Sequence, residues 1–377
     1  MQALRGAAKI CRSVTMARSG RKHLGGCKPP RASGGGSRDQ SSSSDAVPPR
    51  FSLRRGPLGV PRWWLPLAAS AGSHRQACGL QRPSFAACAA ALSTSSSVAE
   101  QREPSIKQSP YRLTSAAAYE PHPEKKATGG EDASFVGADG LSVGVADGVG
   151  GWAEENIDAG VYARLLMSQA QSALQQAEPL PAIPGRPEEP QTEPLRVLVQ
   201  AHARTRVPGS STALIVCLRD TTLHACNLGD SCFMVLRDNK VLFKSPQQQH
   251  QFNFPFQCGA YRGGDSPLVS QLFSVQVQPG DVLILGTDGL WDNLFDGEIA
   301  QLVCAELEKG GGPAAAAATC VRTAHVRGAD PRAHTPFEQE AHKARIRFYG
   351  GKQDDVTCVV SVVERAPAAG GGTVLGG

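Results

Sequence analysis

The chain has 377 residues, of which 41% are hydrophobic and 19% charged, and its formal net charge is +5. Residues 1–98 hold 15 Lys or Arg against two acids, Asp39 and Asp45, a net +13 that leaves −8 for the remainder. An acidic folded part with no cluster of Lys or Arg excludes a nucleic-acid face. No apolar run reaches the roughly 18 residues of a membrane span. Eleven cysteines without a CxxC or regular spacing point to small buried thiols rather than a disulfide framework or a zinc site.

In chain order, residues 1–38 carry nine basic residues and no acid, with scattered Ser and Gly. Such a composition predicts an organelle presequence, extending to about residue 98. The Arg-rich start points to the mitochondrion, and the Ser-rich remainder keeps the plastid as the alternative. A folded domain is expected over 105–365, followed by a disordered tail at 366–377. Within the domain, short strands are predicted at 133–136 and 141–146, joined through the turn dipeptide Asp139-Gly140. Asp158 caps a predicted helix over 159–177, with Val161, Leu165, Leu166 and Leu174 on its apolar face. A Pro-rich loop at 179–194 leads to a helix at 195–205. Strands follow at 212–218, 222–225, 232–237 and 241–243. Residues 245–267 lack periodicity and read as a long surface loop. Further strands are predicted at 273–277 and 282–286. Helices are expected from Asp296 to about Lys309 and over 314–325, before a final buried strand at 356–363. Strands at both ends with helices between them indicate an α+β sandwich.

Four acidic motifs sit at the ends of these strands: Glu131-Asp132, Asp147-Gly148, Asp288-Gly289 and Asp354-Asp355. Carboxylates at the mouths of buried strands are costly unless something neutralises them. Mg²⁺ or Mn²⁺ suits oxygen donors of this kind. Two such ions can activate a water for in-line attack on a phosphoryl group and offset charge on its oxygens. Asp139-Gly140, by contrast, reads only as a turn. Trp152 and Trp291 read as packing beneath the site, and His250 as a solvated loop residue.

Taken together, GEDA at 130–133, VADGVGGW at 145–152, GSSTA at 209–213, NLGDS at 227–231, TDGLWDN at 287–293 and GGKQDDVT at 350–357 resemble the type-2C, metal-dependent protein serine/threonine phosphatases, most of all their organellar branch. The resemblance covers about 120–363. It implies two antiparallel β-sheets packed as a sandwich and flanked by helices, with two Mn²⁺ or Mg²⁺ ions at one end and a weaker third. By position, Asp147 bridges the two ions and Gly148 offers its carbonyl. Asp288 and Asp354 bind one ion, and Glu131 reaches the other through water. Asp132 positions the attacking water, Asp230 and Asp292 match the third-ion positions, and Asp355 falls outside the ligand set. The partners implied are phosphorylated proteins, met by a monomer, with specificity set by the loops at 179–194 and 245–267.

Two positions depart from the family pattern. Ala127 stands where many members carry a phosphate-gripping Arg, which leaves Lys126, with Lys125 beside it, as the substrate-binding candidate. Val149 stands where many members carry a His that protonates the leaving group. These departures define the alternative, a pseudophosphatase that keeps the fold and binds a partner.

Overall fold

The longest apolar runs become strands covered on both faces. A computed structural model describes residues 109–176, 180–260 and 264–367, so the expected presequence and nearly all of the expected tail lie outside the described residues. One five-stranded sheet runs in the order β1 (Tyr111–Glu120), β14 (Val356–Arg365), β13 (Val282–Gly286), β7 (Cys232–Arg237) and β8 (Lys240–Lys244). The other runs β12 (Gln271–Gln276), β6 (Thr222–Leu228), β5 (Ala213–Arg219), β3 (Ser142–Asp147) and β2 (Asp132–Val136). All neighbours in both sheets are antiparallel. Short pairs join β4 (Ser210–Ser211) to β11 (Cys258–Gly259), and β9 (Gln249–Gln251) to β10 (Phe254–Pro255). The helices are α1 (Ala159–Gln175), α2 (Glu193–Arg204), α3 (Asp288–Trp291), α4 (Asp296–Glu308), α5 (Gly312–Gly328) and α6 (Pro336–Lys343).

The two-residue period of a strand sorts its side chains into layers. On β5, Leu214, Val216 and Leu218 join Phe233, Val235, Leu283, Leu285 and Val359 in the sandwich interior. Ile215 and Cys217 point the other way, onto Tyr162 and Leu166 of α1 and Leu198 of α2. On β13 and β14, Ile284 and Val360 meet Val303 of α4 and Cys320 and Ala324 of α5. The result is the expected four-layered sandwich, helices outside and sheets within. Each fully buried Leu, Ile or Phe contributes about 1.5–3 kcal/mol relative to exposure, so these layers hold the scaffold on which the acids are mounted. All seven cysteines among the described residues are free and buried.

Asp158 caps α1 as expected, its carboxylate accepting from the Gly160 N–H at 2.8 Å. The buried face keeps Leu166 of the predicted one, with Leu174 packed partly against the same core, and otherwise differs from it. It consists of Tyr162, Ala163, Leu166, Met167, Ala170 and Ala173, and Val161 is 45% exposed. Three alanines share this face with Tyr162, Leu166 and Met167, so large aliphatic residues alone misplace it. At α4 the cap position is Phe295, and Asp296 falls in the first turn, with Glu298 accepting from the Phe295 N–H at 2.9 Å. The predicted loop at 245–267 holds β9, β10 and β11, and Ser245 and Cys258 are buried. Strand β1 and helix α6 were outside the sequence expectations. The first carries three consecutive alanines and lies at a sheet edge; the second is short and largely polar.

Candidate active site

The acids converge because antiparallel pairing brings strand ends together. Asp132 opens β2 and Asp147 closes β3, and the register places them opposite one another. Asp288 follows β13 and begins α3, while Asp354 and Asp355 lie just before β14, the hydrogen-bonded neighbour of β13. Asp230 sits in the tight connection between β6 and β7. The backbone at Asp147 is fixed by Thr212, whose hydroxyl accepts from the Asp147 N–H at 3.0 Å and whose own N–H donates to the Asp147 carbonyl at 2.9 Å. Gly148 is required by close approach: a Cβ there would lie 2.8 Å from the Glu131 carbonyl oxygen.

Asp132 is 4% exposed, and its two oxygens differ. Oδ2 accepts from the hydroxyls of Thr287 at 2.8 Å and Thr357 at 2.7 Å. Oδ1 is buried and, like Oδ1 of Asp230 and of Asp288, has no hydrogen-bond donor among the described residues. Buried acceptors without donors are uncommon, and three at one end of a sandwich call for a cation. Burial, then the neighbouring carboxylates, pushes Asp132 and Asp147 well above the usual carboxylate range. Asp230 is pushed up to about 8 by burial and then by Asp288. Asp292 is pushed up to about 6 by burial, against the pull of Lys352. Burial also raises Glu131, against the pull of Lys125.

Two lysines occupy the cluster. Lys125 Nζ lies 2.5 Å from Glu131, 3.0 Å from Asp355 and 3.8 Å from Asp354. Lys352 Nζ pairs with Asp288 Oδ2, with Asp292 Oδ2 at 2.8 Å and with Asp354 Oδ2 at 3.3 Å. Burial opposes the charge on Lys352, but Asp288, Asp292 and Asp354 outweigh it and hold the ammonium firmly protonated. Burial likewise opposes the charge of Asp354, which Lys352 and Lys125 together keep ionised. Lys125 and Lys352 sit among the acids, and no three carboxylates among the described residues stand at metal-ligand spacing.

No model of a known protein family matches the chain. Individual relatives do. It is 48% identical over 261 residues to "Probable protein phosphatase 2C 55" of Arabidopsis thaliana, covering 69% of this chain and 54% of that protein. It is 32% identical over 256 residues to "Probable protein phosphatase 2C 26" of the same plant, covering 64% of this chain and 81% of the relative. Its fold is similar to the X-ray structure of the photosystem II phosphatase PBCP, with a TM-score of 0.59 and 32% identity over 66% of this chain and 98% of that one. The chain belongs to the protein phosphatase 2C family. It spans about half the length of the first of these relatives.

Among protein phosphatase 2C residues named from the sequence, Glu131, Asp132, Asp147, Gly148, Asp230, Asp288, Asp292 and Asp354 lie at this end of the sandwich. Asp355 is used otherwise. Its Oδ1 accepts from Tyr119 Oη at 3.0 Å and the His122 N–H at 2.8 Å; its Oδ2 accepts from Lys125 and the Glu131 N–H at 3.2 Å. With four donors it has no free lone pair directed at a cation, and it ties the turn before Glu131 to β14. Lys126 is placed away from the acids, 54% exposed and paired with Glu120 at 2.9 Å. The 3₁₀ turn Pro123–Lys125 explains the difference, since residues adjacent in such a turn point about 120° apart and Lys125 alone faces inward. Trp291 packs in the outer core, donating to the Gly286 carbonyl at 2.9 Å. His250 pairs with Asp265 at 3.0 Å and stacks on Phe256. Thr287, Lys352 and Thr357 lie within the quoted motifs without a role assigned from the sequence, and Gln249, which donates to Asp230 Oδ2 at 3.0 Å, comes from the segment expected to be a surface loop.

Proposed function

We propose that the chain is a metal-dependent protein serine/threonine phosphatase acting on phosphoserine and phosphothreonine in proteins. The observation that carries this reading is the trio of buried, donor-free carboxylate oxygens on Asp132, Asp230 and Asp288. That donor set, all oxygen and all anionic, fits two Mg²⁺ or Mn²⁺ ions. Asp147 with the Gly148 carbonyl would hold both, Asp288 and Asp354 one, and Glu131 the other; Asp230 and Asp292 supply acids for a weaker third. When bound, such ions lower the pKa of water and place positive charge on phosphoryl oxygens.

The remaining work falls to this chain's own groups. The Thr287 and Thr357 hydroxyls fix Asp132 Oδ2, which leaves Oδ1 aimed into the cluster to accept a proton from the attacking water. Lys125, with a side chain 31% exposed, stands at the rim and can exchange a carboxylate partner for a substrate phosphate. It thereby supplies the grip that Ala127 lacks. The basic, acid-poor segment 1–98 supports delivery to the mitochondrion, with the plastid as the alternative.

The test is hydrolysis of a phosphothreonine peptide by the purified chain with Mn²⁺, and its loss in EDTA. Asp288→Asn should abolish turnover while the circular dichroism spectrum is kept. Mn²⁺ binding without turnover on any phosphopeptide would favour the partner-binding pseudophosphatase, and unchanged turnover in Asp288→Asn would sink the site assignment.

A further inference from the structure

We propose that Lys352 is a tethered cation that stands in for the weaker third ion on the Asp288–Asp292 side of the cluster, so that the chain takes up two divalent ions rather than the three its acids would otherwise hold. The inference rests on reading the cluster as a metal centre. It concerns a residue that reading does not use.

The geometry is that of a built site rather than a passing surface pair. The Lys352 side chain is 14% exposed, and its ammonium touches three carboxylates. An ammonium has three donors and no acceptor, so three acidic partners satisfy it completely. Its backbone is pinned on both sides by one buried side chain. Asn293 Oδ1 accepts from the Lys352 N–H at 3.0 Å, and Asn293 Nδ2 donates to the Lys352 carbonyl at 2.8 Å. Asn293 Nδ2 also donates to the Gly289 carbonyl at 2.9 Å, so one amide couples the lysine to the turn that carries Asp288 and Asp292.

Two further contacts close the site. Gly350, at φ +89°, and Gly351 bring the segment against the end of α5 and the turn beyond it, where a Cβ on either would collide with the backbone of Pro331 or Arg327. Above the ammonium lies the ring of Phe337 from α6, 5.1 Å from Nζ to the centroid, and the Phe337 N–H donates to the Asp292 carbonyl at 3.0 Å. A buried aromatic face both attracts the ammonium and excludes water from it. Among the described residues, Lys125 has neither a buried amide anchor nor an aromatic cover. A free Mg²⁺ or Mn²⁺ ion would need ligand oxygens at about 2.0–2.2 Å and would keep several of its waters, whereas here the ammonium already stands between the three carboxylates and the Phe337 ring. The ammonium supplies the charge without them. Asp288 Oδ1 and Asp132 Oδ1 stay free for ions on the other side of the cluster.

The experiment compares the full chain with Lys352→Met and Lys352→Arg, all stripped of metal. Calorimetric titration with Mn²⁺ reads stoichiometry, and thermal melting in EDTA reads the metal-free state. Lys352→Met is expected to take up one more Mn²⁺ per chain and to melt lower in EDTA by more than about 5 °C, since three carboxylates lose their counter-charge. Lys352→Arg should match the wild type in stoichiometry. Reductive methylation of the wild-type chain, read by mass spectrometry, requires no variant to fold. Lys352 should react at least about tenfold more slowly than the exposed Lys343, in EDTA and in Mn²⁺ alike. Equal Mn²⁺ uptake by all three chains overturns the inference alone, as does unmasking of Lys352 by Mn²⁺. No uptake by any of them overturns the metal-centre reading and the inference with it.

Discussion

The two lysines in the acidic cluster do opposite things with the same chemistry. Lys125 ends a three-residue turn at the rim, 31% exposed, and divides its charge between Glu131 and Asp355. Lys352 is 14% exposed, anchored by Asn293 and covered by Phe337. A cation that can let go of its partners suits a transient anionic substrate. One that is held from three sides suits a permanent structural charge. The contrast shows that a lysine's place in such a site is decided by how its backbone is held, not by the number of acids it touches.

Asp354 is the one carboxylate that both lysines reach, at 3.8 Å from Lys125 and 3.3 Å from Lys352, so its loss should erase the distinction altogether. Asp354→Asn is expected to lower kcat by about 10²–10³-fold, measured on a phosphopeptide with saturating Mn²⁺. A residual rate near wild type would show that the two halves work without a shared acid. Next in size is Lys125→Met, expected to reduce kcat/KM by about 10–100-fold, or ~1.4–2.8 kcal/mol, mainly through KM. An unchanged KM for the phosphopeptide would mean that the rim lysine does not grip substrate.

The pH dependence of stability probes the half held by Lys352. Asp230 and Asp292 have folded pKa values raised to about 8 and about 6, above an unfolded value of about 3.9. Groups shifted upward hold more protons in the folded state, so their contribution is complete at low pH and is lost as pH rises through those values. In EDTA, the urea midpoint should therefore fall between about pH 5 and pH 8. Saturating Mn²⁺ should flatten that fall, and an EDTA midpoint that climbs over the same range would contradict the assignment. The smallest effect belongs to Lys126→Ala, whose exposed pair with Glu120 should leave stability within about 0.5 kcal/mol and KM unchanged.

Much of this was legible in the sequence, and the boundary has a physical cause. Runs such as 213–219 and 282–286 announce buried strands because both of their faces are apolar, and the acid-Gly pairs announce turns at strand ends. The α+β class and the acids at 131–132, 147, 288 and 354–355 follow from those local signals; the paired antiparallel sheets and the roles of Asp230 and Asp292 come from the motif resemblance. The half-exposed edge strand β1 gives a weaker pattern, and α1 hides its buried face in alanines. Lysine positions are not local at all. Lys125 and Lys126 are neighbours with the same composition around them, and only the sense of a 3₁₀ turn separates the one that enters the site from the one that leaves it. Lys352 likewise depends on Asn293, 59 residues away.

Strand β14 lies between β1 and β13, pairing with β1 from Tyr111 to Glu120, and it is the last element of the described chain. Of the described strands, the first to leave the ribosome thus waits for the last before it has a neighbour on that sheet. Asp354 and Asp355, which close the acidic cluster and tie down the turn before Glu131, arrive at the same late moment. Since domains emerge N-terminus first, a ribosome that stops short of residue 354 releases a chain with neither a finished sheet nor a finished cluster. Every such truncated product would lack the one neighbour of β1 and two carboxylates of the cluster at once, so completion of the sheet and completion of the site are a single event.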